Sequence, residues 1–143
     1  MNEMCVEIGE QTVFAKTFTD ADFANFSAIS GDFDPIHVNE AYARTTPFRR
    51  RIAHGIAVLG LMSGPESEMS RRIVDRGCRF KPVTLGYDKV RFIKPVFCGD
   101  TLTATYTIAE IDADKLRAIG KCEITNQDGE LVMVADHVLK WVG

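Results

Sequence analysis

Gly55-Ile56-Ala57-Val58-Leu59-Gly60-Leu61-Met62-Ser63-Gly64 carries no charge and almost no polarity over ten consecutive residues. A surface helix needs a polar face and a half-buried strand needs alternation; this segment has neither. It is either a buried strand or a helix packed on all sides, and periodicity alone does not choose. Its length and its glycines favour a helix lying close against a sheet, with Pro65 kinking or ending it. Residues 66–75 are polar and charged and are expected to form a solvated helical extension.

Downstream the pattern changes. Residues 85–93, 101–110, 116–126 and 131–141 read as four strands. Leu102, Ala104, Tyr106 and Ile108 alternate with polar neighbours, as do Leu131, Met133, Ala135, His137, Leu139 and Trp141. Asp128-Gly129 marks a tight hairpin between the last two. Pro95 and Gly99-Asp100 supply the turn between the first two, so the four strands are expected to form a meander.

Upstream, residues 13–19 alternate as a first strand. Thr19 or Asp20 can cap a helix with Phe23, Phe26 and Ile29 on one stripe, and Gly31 can end it in the left-handed conformation. Asp34-Pro35 is a turn signal, and Asn39 can cap a short helix through Ala43. The order is strand, helical insert, apolar helix, antiparallel sheet: an α+β chain with one sheet around one apolar helix. Such a sheet leaves an edge and a bare face, which a second copy would cover. A dimer is expected.

The chain has 143 residues, enough to bury a core without metal or disulfide staples. A net charge of −3 and a pI near 5.6 argue against nucleic-acid binding. There is no apolar run of the roughly 18 residues a membrane span needs. The start of the chain, with Glu3, Glu7 and Glu10, does not read as a signal peptide. Cys5, Cys78, Cys98 and Cys122 are scattered, none at metal-ligand spacing, and are expected to be reduced thiols in a cytoplasmic protein.

Two places carry titratable or donor groups suited to chemistry. Gly31-Asp32-Phe33-Asp34-Pro35-Ile36-His37 puts a carboxylate and an imidazole either side of a stiff Asp-Pro step, so both can contact one water. The same residues also read as a plain helix stop with an Asx turn and a surface histidine, and spacing does not decide between the two. His54-Gly55 stands at the start of the apolar helix, where unpaired N–H groups suit an oxyanion and glycine admits a ligand close to the backbone. Ser63, about two turns on, can face the same side or simply bond to a carbonyl one turn back. Arg49, Arg50 and Arg51 form either a solvated loop or a site for phosphate groups. Lys81, Lys89, Arg91 and Lys94 are too dispersed to assign, and His137 falls on a packed strand face. No nucleophile elbow, phosphate loop, dinucleotide fingerprint or histidine pair with metal spacing is present in the sequence.

With these residues in view the chain resembles the MaoC-like hydratases and dehydratases, close to the (R)-specific enoyl-CoA hydratases. The likeness lies in Phe18-Thr19-Asp20-Ala21-Asp22, in Ser30 to His37, in Ile52-Ala53-His54-Gly55-Ile56, in Ser63-Gly64, and in Val90-Arg91-Phe92-Ile93-Lys94-Pro95-Val96 with Gly99-Asp100. It implies a single MaoC-like hot-dog domain over residues 1–143. It also implies hydration of a trans-2-enoyl thioester to the (R)-3-hydroxyacyl form, without metal or redox cofactor. By position it makes Asp32 and His37 the catalytic pair, Gly55 the oxyanion-hole amide and Ser63 a residue near the substrate. His54 and Arg49 to Arg51 are further candidates for substrate binding, the arginines at the phosphates of coenzyme A or of an acyl carrier protein arm. Thioester hydrolysis and non-catalytic acyl-thioester binding are the competing functions on such a fold. Asp34 departs from the family's usual asparagine, and a second carboxylate beside Asp32 is expected to disturb it.

Overall fold

The structure is a computed structural model, and it describes residues 2–143. The elements run β1 (Gln11–Thr17), α1 (Asp20–Ser30), α2 (Pro35–Val38), α3 (Glu40–Ala43), α4 (Gly55–Gly60) and α5 (Ser63–Asp75). Then come β2 (Lys81–Phe92), β3 (Thr101–Asp112), β4 (Arg117–Thr125) and β5 (Leu131–Val142). One five-stranded antiparallel sheet, ordered β1-β3-β4-β5-β2, packs against α4 and α5. This is the expected α+β arrangement. No helix of the described residues is long and apolar enough to cross a membrane.

The alternating runs become strands whose inward residues are fully buried. Leu102, Ala104, Tyr106 and Ile108 of β3 face the helices together with Met133, Ala135, His137, Leu139 and Trp141 of β5. A Cβ at Gly120 of β4 would overlap the Tyr106 ring, so only glycine lets that ring cross the sheet. The expected meander holds for β3, β4 and β5 but not for β2. β2 pairs with β5 at the far edge, and residues 93–100 cross the end of the sheet to reach β3. Strand patterning reveals which residues face inward; it does not reveal which neighbour a strand chooses.

The apolar segment is helical, in two pieces. Pro65 has no N–H to give to the carbonyl four residues back, and the chain tightens just before it. The N–H groups of Leu61, Met62 and Gly64 each bond three residues back, to Val58, Leu59 and Leu61. One face is buried through Val58, Met62, Met69 and Ile73, while Ile56 is 59% exposed in the single chain. At α1, Thr19 caps through a full capping box and Gly31 ends the helix at φ 77°. Phe23 is buried, whereas Ile29 of the expected stripe lies exposed.

Residues 66–75 are not a uniformly solvated extension, because Glu66 points into the core. The Tyr87 hydroxyl donates to its carboxyl at 2.8 and 2.9 Å. Beside it, the Tyr106 hydroxyl lies 2.9 Å from His137 Nδ1, and Thr84 Oγ1 lies 2.9 Å from His137 Nε2, each within hydrogen-bond distance. Those two partners satisfy a neutral imidazole completely. At 3.6 Å, Glu66 Oε2 and His137 Nε2 are too far apart for a hydrogen bond. Burial pushes the Glu66 carboxyl up to about 7, against the lowering effect of Tyr87 and Cys122, and pushes His137 down to about 4.

The cysteines also differ from expectation. Cys5 and Cys78 form a disulfide that ties the N-terminal segment to the end of α5, while Cys98 and Cys122 are free. The two cysteines are 73 positions apart but their Cα atoms lie 5.8 Å apart, a proximity only the fold creates. The Trp141 indole N–H, donating to Met4 O at 3.0 Å, fastens the same segment to β5.

Candidate active site

The loop after α1 is shaped by its own short polar side chains. Ser30 Oγ accepts from Asp32 N at 3.0 Å, and Asp32 Oδ1 accepts from Asp34 N at 3.1 Å. Asp34 in turn accepts from Ile36 N at 2.9 Å and caps α2, with Pro35 in the first turn. The Asp34 carboxylate is therefore occupied as a helix cap, a task asparagine performs equally well. With one oxygen of Asp32 held in the turn, the other, Oδ2, lies 3.8 Å from His37 Nε2.

His37 is held from its other edge. Its Nδ1 is 2.7 Å from the Ile52 carbonyl, and a carbonyl only accepts, so Nδ1 carries the hydrogen. In the neutral ring Nε2 then offers a lone pair toward Asp32. The Asp32 side chain is 46% exposed and that of His37 12%, so water reaches the space between them. Two acceptors at this separation suit a single water that donates one hydrogen to each.

Residues 51–54 form the back of the site. Arg51 pairs with Asp20 and with Glu40 and donates to the His37 carbonyl at 3.3 Å. Ala53 N donates to Val96 O at 2.7 Å, joining this segment to the connection that crosses the sheet end. His54 is 2% exposed and lies behind His37, their rings stacked at 3.9 Å. Gly55 begins α4, which has no side-chain cap, so its first amides are left for another acceptor. A Cβ there would lie 2.8 Å from the Phe92 ring. A cavity of about 370 Å³ opens beside these groups, lined by His37, Gly55, Val58, Phe92, Val96 and Val132 among others.

Asp32, His37, His54 and Gly55 thus come together, from a loop, a short helix and a helix start. Other candidates do not join them. Ser63, the first residue of α5, is exposed and does not line the cavity. His54 is too deeply buried to touch a substrate. Arg51 is spent on its carboxylate partners, Arg50 lies 3.7 Å over the Phe97 ring, and exposed Arg49 stands at φ 64°. The arginine run is thus split among three roles. Residues missed in the sequence include Ser27, whose hydroxyl lies 3.2 Å from His54 Nε2, and Lys94, which lines the cavity and pairs with Glu130. Lys94 stood in the Val90 to Val96 stretch but was left unassigned among scattered cations; Ser27 stood in no motif, and only the proximity of α1 to residue 54 in the fold exposes it.

Asp32, His37 and His54 also offer three possible metal ligands within 4.8 Å of one another. Stacked rings aim their in-plane lone pairs side by side, not at a common point. One nitrogen of each ring is already committed to a backbone carbonyl. The donor set fits a bound water better than an ion.

Residues 5–129 match the profile of the MaoC like domain family. The chain is 33% identical over 140 residues to the (R)-specific enoyl-CoA hydratase of Aeromonas caviae, covering 98% of each. It is 31% identical over 135 residues to the 3-hydroxybutyryl-CoA dehydratase of Methylorubrum extorquens, covering 94% of this chain and 80% of that one. Among solved structures, the (R)-hydratase from A. caviae involved in PHA biosynthesis superposes with a TM-score of 0.81 at 33% identity, over 94% of this chain and 96% of that one.

Proposed function

The chain belongs to the MaoC-like domain family, and on that premise we propose that it is a hydro-lyase adding water reversibly to a trans-2-enoyl thioester. The product is the (R)-3-hydroxyacyl thioester. The observation that carries this is the 3.8 Å separation of Asp32 Oδ2 and His37 Nε2, beside a cavity into which the Gly55 end of α4 opens.

The roles follow from the donors and acceptors. A water between the pair gives one hydrogen bond to Asp32 and one to His37 Nε2. As its oxygen bonds to the β-carbon, Asp32 takes the proton and the π electrons move toward the thioester oxygen. The Gly55 N–H receives that developing charge, a contribution of about 10²–10³ in rate for one such donor. Collapse of the enolate returns the proton to the α-carbon and restores the carboxylate. Water is consumed, no electrons are gained or lost, and every proton transfer is assigned to a side chain. The scheme therefore includes no metal and no redox cofactor; coenzyme A, or a carrier protein, enters as the substrate's thioester. Arg49 and Arg50 are both exposed, but Arg50 stacks on Phe97, which leaves Arg49, with no side-chain partner among the described residues, to meet a phosphate.

The working form in this reading is a homodimer. β2 is an edge strand with Val83 and Leu85 exposed, and Ile56, Phe33, Phe92 and Ile93 are exposed around the cavity and the Asp32 loop. A second copy would cover them, and sedimentation of a monomer at micromolar concentration would contradict this. A cytoplasmic location is the remaining part of this reading, and the Cys5–Cys78 disulfide counts against it.

The test is a trans-2-enoyl-CoA substrate, crotonyl-CoA first. Enoyl absorbance should fall without release of free thiol, and the product should be the (R) enantiomer. Thiol release would mean thioester hydrolysis instead, and binding with neither signal a non-catalytic subunit.

A further inference from the structure

We infer that His54 is a positioning residue that fixes the Asp32–His37 pair relative to the Gly55 amide; the inference rests on the hydratase reading. His54 is 2% exposed and cannot act on substrate. Its Nε2 lies 3.1 Å from the Asp32 carbonyl and 3.2 Å from Ser27 Oγ. Because the carbonyl only accepts, Nε2 carries the hydrogen, and Nδ1 is left as a buried lone pair with no partner among the described residues.

That orphan is informative. A ring needed only to fill the space between Phe26, at 4.8 Å, and His37 would do better as phenylalanine, with no nitrogen left unpaired. The cost of the unpaired Nδ1 makes sense if the Nε2 hydrogen is needed where it points. It holds the backbone of the base itself. Its ring meanwhile covers one face of His37, whose edge is held by the Ile52 carbonyl. His54 directly precedes Gly55, so one residue joins the end of α1, the base, the imidazole and the oxyanion donor. Loosening it should degrade the alignment of these groups, which costs turnover more than substrate affinity.

Two variants separate the parts. His54→Phe keeps the stacking and removes the donor; His54→Gln supplies an N–H at comparable reach. With crotonyl-CoA, H54F should lower kcat about 10- to 100-fold with KM changed less than about threefold, and H54Q should recover at least about fivefold of that loss. In an Asp32→Asn background H54F should add almost nothing, because the base it positions is already gone. Amide hydrogen exchange is read alongside, on the same proteins and independently of turnover. Residues 32–34 should exchange faster in H54F while α5 and β3 stay as in the wild type. Should H54F fail to fold, His54→Asn, whose amide is too short to reach the Asp32 carbonyl, takes its place beside H54Q. Equal kcat and equal exchange in the donor-free and Gln variants would overturn the inference. A wild-type protein without hydratase activity, yet with the selective change in exchange, would instead overturn the hydratase reading alone.

Discussion

Glu66 and His137 sit side by side in the core with their proton affinities displaced in opposite directions, and removing either one should tilt stability against pH in opposite senses. Burial raises the Glu66 carboxyl from 4.5 to about 7 and lowers His137 from 6.5 to about 4. A raised folded-state value favours the fold at pH below 4.5, and that contribution is lost as pH climbs through about 7. A lowered value favours the fold at pH above 6.5, and that contribution is lost as pH falls through about 4. Between 4.5 and 6.5 the folded chain holds a proton on Glu66 and the unfolded chain holds one on His137. The proton count is equal, so the two slopes cancel in the wild type. At 1.36 kcal/mol per unit, going from pH 8 to pH 5 moves the Glu66 contribution by about 3 kcal/mol and that of His137 by about 2 kcal/mol in the other direction. Glu66→Gln, which keeps an acceptor for Tyr87, should therefore lose about 3 kcal/mol relative to wild type over that interval. His137→Gln should gain about 2 kcal/mol relative to wild type. Urea unfolding of the three proteins at pH 8, 6.5 and 5 measures the differences. Shifts of the same sign in both variants, or differences from wild type that do not move with pH, would refute the neutral arrangement.

Gly55→Pro should lower kcat by about 10²–10³, because it removes the N–H at a first helical position where proline is tolerated, and its Cβ meets a Phe92 ring that is 49% exposed; near-normal turnover in the folded variant would remove Gly55 from the oxyanion site. Arg49→Ala should raise KM for a coenzyme A thioester but not for a short thioester lacking the phosphates. Arg51→Ala should leave that ratio unchanged and cost at most about 1 kcal/mol of stability, since its carboxylate partners are largely exposed. Steady-state kinetics with both substrates and a denaturant titration decide this. The Cys5–Cys78 link closes a loop of 73 positions, so Cys78→Ser should cost about 4 kcal/mol on the chain-entropy account. Thermal unfolding with and without reductant, together with thiol counting, checks it: four free thiols in the native protein would contradict the link.

Much of this was legible where local chemistry dictates local structure. Thr19 and Gly31 bound α1, and Asp34-Pro35 opens α2, because caps and turns depend on neighbouring residues alone. The inward residues of β3 and β5 were readable from a period of two. What escaped was non-local. The pattern of β2 gives its faces but not its place beside β5. Glu66, in a charged stretch, looked solvated, and only the Tyr87 hydroxyl on a distant strand explains its burial. His54 looked like a substrate contact because it adjoins Gly55, whereas the fold turns its ring inward onto Ser27 and Asp32. Asp32 and His37 read both as a turn and as an acid–base pair; the structure shows the turn, and the Ile52 carbonyl turns His37 Nε2 toward the carboxylate, a geometry that spacing alone did not give.

The most direct measurement is the initial rate of crotonyl-CoA hydration, followed at the enoyl band, for wild type, Asp32→Asn and His37→Ala with folding verified for each. The paired acid–base assignment predicts (R)-3-hydroxybutyryl-CoA from the wild type and a fall in kcat of about 10²–10⁴ in each variant. Near-wild-type turnover in both folded variants would contradict it.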